Sequence, residues 1–252
     1  MEITWVTFLI VCPLLFLAGF VDSIAGGGGI ISLPAFLLTG MPPHLALGSN
    51  KLSSCMGATI STARFFKNGF IDLKLAPAII VFALIGSALG ANLTLLVPEN
   101  IIKYLLIVVL PIVAFFVLKK KNFDNSQSSV PISRKKQVLI AILASFIVGG
   151  YDGFYGPGTG TFLILIYTML AKMDIKTASG NAKVVNFSSN LAAVVTFIIN
   201  GKVVFVLSLV AGLFSIAGNY IGSGLVIKNG SKIVRPIIIV VLILLLIKII
   251  VG

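Results

Sequence analysis

The stretch DSIAGGGG, residues 22–29, places an aspartate and four consecutive glycines directly after a run of strongly apolar residues. A related stretch, DGFYGPGTG, occupies residues 152–160. Glycine weakens a helix and a carboxylate is costly in lipid, so neither stretch suits the interior of a continuous membrane helix. Each stretch predicts a break between two helical segments, and the recurrence predicts that one structural unit occurs twice.

The composition around these stretches is that of a membrane protein. The 252 residues are 58% hydrophobic and 10% charged, with a mean hydropathy of +1.13, which a soluble domain could not bury. The net charge of +12 comes mainly from lysines and arginines in loops between apolar segments, where such residues set membrane topology. No nucleic-acid partner is expected, and Cys12 and Cys55, both within apolar segments, indicate no disulfide framework.

Apolar windows predict a chain of helical segments interrupted by polar loops. The ten predicted segments cover residues 3–21, 30–40, 44–66, 72–97, 100–118, 137–151, 160–171, 176–199, 202–227 and 231–251. Segments two, six and seven are short, and a helix of about ten residues reaches only half-way across a hydrocarbon core of about 30 Å. The first segment is expected to be retained, because no basic residue precedes it and no small-x-small cleavage site follows.

The basic residues predict the orientation of the chain. If the segments alternate, fourteen of the 19 lysines and arginines fall on one side, which the positive-inside rule makes cytoplasmic. Both termini then lie outside and the Ser-rich central linker lies in the cytoplasm. The predicted division is a first transmembrane repeat at 1–118, the linker at 119–136 and a second repeat at 137–252.

The two halves share a nearly constant offset. A shift of 132 aligns Lys51 with Lys183 and Asn68-Gly69 with Asn200-Gly201, and a shift of 130 aligns Asp22 with Asp152. Since each half has an odd number of segments, the two copies would run in opposite directions, the inverted repeat of many secondary transporters. The paired glycines at 86 and 90, and at 218 and 222, indicate closely packed helices.

The glycine stretches suit an anion-binding site. Unwound backbone is tolerated in a bilayer only where it is buried in protein or lines a cavity. The exposed amides there, with the positive start of the following helix, would bind an anion. The candidate residues are Gly26, Gly27, Gly28 and Gly29 in one copy and Gly156, Gly158 and Gly160 in the other. The alternative is that these glycines only allow a tight hairpin.

Two lysines lie deep within predicted helices. Lys51 and Lys183 are each about seven residues into a segment, roughly 10 Å from its end, where a lysine needs a partner or a function. One interpretation is structural ion pairs, Asp22 with Lys51 and Asp152 with Lys183. In the other, the lysines bind an anionic substrate while the aspartates balance charge or carry protons. Both interpretations can hold together.

Polar residues surround each lysine and favour a polar cavity over simple helix–helix hydrogen bonding. The candidates for substrate contact are Asn50 and Ser54 beside the first lysine and Asn181 and Asn186 beside the second. The sequence has a single histidine and no nucleotide-binding glycine motif, so no metal, no cofactor and no catalytic residues are expected.

The motifs also resemble a known family. The stretches AGFVDSIAGGGGIISLPAFLLTGMPPHLALGSNKLSS, NGFIDLKLAPAIIVFALIGSALGA and GGYDGFYGPGTGTFLILIYTMLAKMDIKTASGNAKVVNFSSNLAAVVTFIINGKV resemble the TauE/SafE family, the sulfite exporter or DUF81-type permeases. The second copy reads Gly-Asn-Ala-Lys where the first reads Gly-Ser-Asn-Lys, so the role of Asn181 need not match that of Asn50.

The resemblance implies a multi-pass permease of the prokaryotic inner membrane that moves sulfite, thiosulfate, a sulfonate or a similar small anion. It implies export, linked to the proton gradient, through the glycine hairpins and the Asn/Lys helices. The expected fold is therefore all-α, with about ten membrane or half-membrane helices in two inverted five-segment repeats joined at re-entrant hairpins. The expected partners are the anion and the lipid bilayer, with a homodimer left open.

Three other functions remain as alternatives: a passive anion channel, a permease for another small organic acid or for cations or amino acids, and a membrane enzyme. Paired lysines disfavour a path for cations alone. The absence of a catalytic histidine, paired acids or a metal cluster disfavours the enzyme.

Overall fold

The computed structural model describes residues 4–98, 101, 132–234 and 236–238. Within these ranges the chain contains no strand and forms eight helices of nine residues or more: α1 Trp5–Ala25, α2 Gly29–Leu37, α3 Pro43–Lys67, α4 Ala76–Leu96, α5 Arg134–Phe154, α6 Thr159–Met169, α7 Ile175–Ile199 and α8 Phe205–Asn229. Most of the predicted segments at 100–118 and 231–251, and most of the linker at 119–136, lie outside the described residues.

The helices have the length and composition of membrane spans. Among the described residues, five of them (α1, α4, α5, α7 and α8) are long and apolar enough to cross a bilayer. The 25-residue α3 is equally long, but the stretch SNKLSS at 49–54 lowers its hydropathy. The predicted all-helical membrane protein is confirmed at this level.

Two predicted boundaries are wrong in the same way. The first segment was expected to end at residue 21, but α1 continues through Asp22 to Ala25. The sixth was expected to be a short segment at 137–151, but α5 has 21 residues and includes Asp152. Apolar windows stop at polar residues, whereas a helix continues wherever its carbonyls find donors and its polar side chains find partners. The short α2 and α6, of nine and eleven residues, agree with prediction.

The first helix of each half packs against the last described helix of the other half. The most extensive helix pairs are α4 with α5 and α1 with α8, while α3 and α7 pack on each other and on these pairs. Close approach depends on the paired glycines: a Cβ on Gly90 would lie 2.0 Å from the carbonyl oxygen of Gly150, and one on Gly218 would lie 2.1 Å from that of Phe16. The predicted role of these glycines in tight helix packing is confirmed.

The bundle is apolar outside and polar within. Its exposed surface carries many large hydrophobic residues, including Trp5, Leu89, Ile147 and Leu213. Its buried set contains many serines and asparagines and two lysines. This distribution is typical of a protein that is surrounded by lipid and that keeps its polar groups in the interior.

Candidate functional site

A polar cavity lies where the junction between α1 and α2 and the junction between α5 and α6 meet α3 and α7. It is a small cavity of about 20 Å³, with room for roughly one water-sized group in this conformation. The residues that line it come from both halves of the chain: Asp22, Gly26, Gly29, Asn50, Lys51, Ser54, Asp152, Gly156, Asn186 and Asn190. Nine of these ten are residues that the sequence marked as candidates. The structure thus brings together positions that are up to 168 residues apart in the chain.

The buried lysines pair across the halves rather than within them. Lys51 Nζ lies 3.0 Å from an oxygen of Asp152, and Lys183 Nζ lies 2.7 Å from an oxygen of Asp22. The predicted pairing of Asp22 with Lys51 and of Asp152 with Lys183 is therefore wrong. Because α1 docks on α8 and α5 docks on α4, each aspartate is carried into the other half, where it meets the other half's lysine.

Both pairs are buried, with lysine side chains 2% and 1% exposed. Removing such ions from water costs several kcal/mol each, which is offset only by close pairing and further hydrogen bonds. These four groups carry two positive and two negative formal charges, so the site is neutral when all four are ionised. A neutral, preorganised cluster of this kind can redistribute its contacts when an ion or a proton enters.

The surroundings of the two aspartates differ. The carboxylate of Asp152 accepts hydrogen bonds from Thr159 Oγ1 at 2.9 Å and Ser189 Oγ at 2.6 Å, in addition to its lysine. Its side chain is 3% exposed. Asp22 is 18% exposed, and Lys183 is the one side chain of the described ranges that donates to its carboxylate.

The two glycine-containing junctions, between α1 and α2 and between α5 and α6, are in direct contact. The amide of Gly160, in the first turn of α6, donates to the carbonyl oxygen of Gly26 at 3.1 Å. Thr161 Oγ1 donates to the carbonyl of Ala25 at 2.7 Å. A Cβ on Gly26 would lie 2.2 Å from the Cα of Gly160, and Gly26 has a φ of +75°. Glycine is therefore required at this crossing both by conformation and by space.

Gly156 serves a different purpose from these contact glycines. It has a φ of +103°, and a Cβ there would lie 2.8 Å from Lys51 Nζ and 3.1 Å from Asp152 Oδ1. Its lack of a side chain leaves room for the ammonium group to reach the carboxylate. The remaining candidate glycines do not line this cavity: Gly27 is buried, Gly28 lines a neighbouring cavity and precedes α2, and Gly158 precedes α6.

Asn50 and Asn181 have unrelated roles. Asn50 lines the cavity, and its buried Oδ1 has no hydrogen-bond partner among the described residues. Asn181 Oδ1 instead accepts from the backbone amide of Asp72 at 3.1 Å, which fixes the loop between α3 and α4. Ser49 Oγ does the same for the amide of Val204 at 3.0 Å. We call these two side-chain-to-loop hydrogen bonds clamps. The offset of 132 relates them, so Asn181 corresponds to Ser49 rather than to Asn50.

Three polar residues of this region were missed by sequence reasoning. Asn190 lines the main cavity, and Thr159 binds Asp152. Asn219 lines a second, smaller cavity, which shares Asp22, Gly29 and Ser54 with the first. The signal for Asn190 was its position four residues after Asn186, which places both on one helix face. Asn219 lies between the glycines at 218 and 222, which the sequence explains by close helix packing alone.

Comparison with known proteins identifies the family of this chain. The family model described as sulfite exporter TauE/SafE matches residues 11–249. The chain belongs to the TauE/SafE family. The resemblance seen in the sequence is confirmed.

Curated relatives of this TauE/SafE protein are named as transporters. A probable membrane transporter protein of Haemophilus influenzae is 36% identical over 89% of this chain and 87% of its own length. The probable membrane transporter protein ORF9 of Sinorhizobium sp. is 36% identical over 92% and 88%, and YfcA of Escherichia coli K12 is 35% identical over 89% and 82%. No solved structure matches the chain. The family and these names identify a multi-pass membrane transporter.

Proposed function

We propose that this protein is a secondary transporter of small anions. It exports sulfite, thiosulfate or an organosulfonate by alternating access. The observation that carries the proposal is the pair of buried lysines at one cavity within an apolar bundle. Lys51 lines the cavity and Lys183 holds Asp22, which also lines it. Buried cations at a polar cavity inside a membrane protein mark an ion or substrate path.

The donors around the cavity suit an oxyanion. The ammonium group of Lys51, the amides of Asn50, Asn186 and Asn190 and the hydroxyl of Ser54 can all donate hydrogen bonds. Sulfite and sulfonates present several acceptor oxygens on one centre, which such a convergent set of donors can satisfy. A cation would face Lys51, and the carboxylates of Asp22 and Asp152 that could hold it are already paired with lysines.

Alternating access needs two bodies that move around a fixed site. In the proposal these bodies are two inverted repeats, and α1–α2 and α5–α6 are re-entrant hairpins that enter from opposite membrane faces. The offsets of 130 and 132, the short α2 and α6, and the matching clamps at Ser49 and Asn181 support this arrangement. The cytoplasmic linker, the external termini and the two-repeat division at 1–118 and 137–252 belong to the same proposal.

Reconstitution into proteoliposomes tests the function. Purified protein is assayed for flux of labelled sulfite, thiosulfate, methanesulfonate, acetate and a cationic amino acid. We expect saturable flux of the sulfur oxyanions that is accelerated by unlabelled anion on the opposite side, which a passive channel would not show. The Lys51→Ala variant should lose the flux measured per molecule of folded, reconstituted protein, and Lys51→Arg, which keeps the charge but crowds the cavity, should reduce it.

The control is Lys67→Ala, which removes a lysine from the exposed end of the same helix. It should transport like the unaltered protein. Flux of acetate alone would redirect the proposal to carboxylates, and unchanged flux in Lys51→Ala would remove Lys51 from the mechanism.

A further inference from the structure

The two aspartates of the site occupy corresponding positions in the halves, yet their surroundings are unequal. Asp152 is 3% exposed and its two oxygens together receive three donors: Lys51, Thr159 and Ser189. Asp22 is 18% exposed, and no described residue donates to its Oδ1. A carboxylate that holds several hydrogen bonds strongly favours its ionised form, whereas one with a free, accessible oxygen can accept a proton.

The difference between the surroundings of Asp22 and Asp152 follows from the sequence. The offset of 130 that relates Asp22 to Asp152 also relates Gly29 to Thr159, and the offset of 132 relates Gly57 to Ser189. Both hydroxyl donors of the second half are therefore replaced by glycine in the first half. The space beside Gly57 is taken by α8 side chains instead: a Cβ there would lie 2.3 Å from Ser215 Oγ and 2.4 Å from Asn219 Nδ2.

Asp22 also lies between two cavities. It lines the main cavity with Lys51 and Asn50, and it lines the smaller one with Asn219. Asn219 is 1% exposed, and its Oδ1 has no hydrogen-bond partner in the described part of the chain. A buried carbonyl oxygen without a donor calls for water or a proton-bearing group beside it. The small cavity therefore offers a position for a water between Asn219 and the free side of Asp22.

The charged groups that face Asp22 are few. Lys183 approaches from α7 at 2.7 Å, and Lys51 of α3 and Asp152 of α5 lie around the shared cavity. Of the neighbouring helices, α2 and α8 contribute Ser32 and Asn219 to the cavity walls and no charged side chain. Protonation of Asp22 thus has one direct electrostatic consequence, which is the release of Lys183.

We propose that Asp22 is the exchangeable proton site of the transporter and that Asp152 is a permanently ionised anchor for Lys51. The inference rests on the proposed anion transport. With all four groups ionised the site is neutral. When a proton from water binds to Asp22, Lys183 loses its counter-charge and the site carries a single positive charge that a monoanion neutralises. Proton and anion therefore bind together and cross together, which makes the cycle electroneutral for a monovalent substrate.

This coupling does not fix the direction of transport. An electroneutral proton–anion symporter runs down the sum of the anion gradient and the pH gradient. A cell that accumulates the anion exports it together with a proton, and an acidic exterior drives uptake when the internal concentration is low. The membrane potential has no effect on a monoanion, since no net charge crosses the bilayer.

Infrared difference spectroscopy tests the proton site without requiring transport. Spectra of the purified full chain are recorded between alkaline and acidic pH for the unaltered protein, Asp22→Asn, Asp152→Asn and the control Asp174→Asn. Asp174 is the exposed N-cap of α7, a position at which asparagine is equally suitable. A C=O band at the high wavenumber of a buried protonated carboxyl, separate from the band of the solvent-exposed carboxyls, should be lost in Asp22→Asn and retained in the other two. A band retained in Asp22→Asn, or lost in Asp152→Asn, would overturn the assignment.

Flux of labelled methanesulfonate tests the coupling. This probe stays ionised throughout the usable pH range, so any accompanying proton must be carried by the protein. Because uncompensated charge in a bilayer is costly, about one proton should enter per anion in the unaltered protein. Asp22→Asn should no longer accumulate the anion under an imposed pH gradient, and continued accumulation would refute the coupling. If the unaltered protein moves no anion at all, the proposed function fails, while the infrared result still decides the proton site.

Discussion

Lys51 and Asp152 form an ion pair between the two halves of the chain, with Nζ 3.0 Å from Oδ1 and both side chains at most 3% exposed. Lys183 and Asp22 form the corresponding pair at 2.7 Å. Each pair joins a helix before the linker to a helix after it. The candidate site therefore exists only when the two halves have docked, and its charges are compensated only in that docked state.

A double-mutant cycle should detect the cross-half pairing. Removing one partner leaves a buried charge uncompensated at a cost of about 3–5 kcal/mol, and removing both relieves much of that cost. Lys51→Met should therefore lower the thermal midpoint strongly, and adding Asp152→Asn should restore part of it. The comparison is Lys51→Met with Asp22→Asn, whose effects should add. Equal behaviour of the two double variants would contradict the pairing.

Substitution of Gly26 should be far more harmful than substitution of Gly40. Both have positive φ, +75° and +77°, so alanine costs each about 1–2 kcal/mol of backbone strain. Only Gly26 is also crowded: its Cβ would lie 2.2 Å from the Cα of Gly160, whereas Gly40 has nothing within 4 Å. The yield of monodisperse protein and its thermal midpoint measure the difference. Similar losses in Gly26→Ala and Gly40→Ala would show that the hairpin contact is unimportant.

The two asparagines should separate binding from stability. Asn50→Leu removes a side chain whose Oδ1 has no partner, so the thermal midpoint should hardly change. Anion affinity should fall by about tenfold or more, since a hydrogen bond to a charged group contributes about 1.5–3 kcal/mol.

Asn181→Leu should do the reverse. It leaves the Asp72 amide unpaired and should lower stability by about 1 kcal/mol or more, with affinity preserved. Thermal unfolding and binding of methanesulfonate are measured on both variants. A loss of affinity confined to Asn181→Leu would reverse the assignment.

Cysteine labelling should reveal whether the repeats are inverted. Asn68 and Asn200 are exposed, correspond through the offset of 132, and end α3 and α7. In a background without Cys12 and Cys55, a membrane-impermeant maleimide should label Asn68→Cys from the cytoplasmic side and Asn200→Cys from the outside. Labelling of both from the same side would refute the inverted arrangement.

The sequence by itself determined that the protein lies in a lipid bilayer, that it is helical, and which residues form most of the cavity lining. Apolar windows identify helices because lipid forces the backbone to bond internally. Consecutive glycines mark the breaks because no other residue tolerates both the conformation and the contact. Deep lysines and aspartates identify the site because unpaired charge is too costly in a bilayer to occur without a partner.

Only the tertiary structure decided which groups meet. The chain order suggested that each aspartate pairs with the lysine next along the sequence, but helix docking exchanges the partners. Sequence spacing also gave equal standing to Asn50 and Asn181, of which one lines the cavity and one holds a loop. Such assignments depend on which helix faces which, a property of packing between distant segments that no local pattern records.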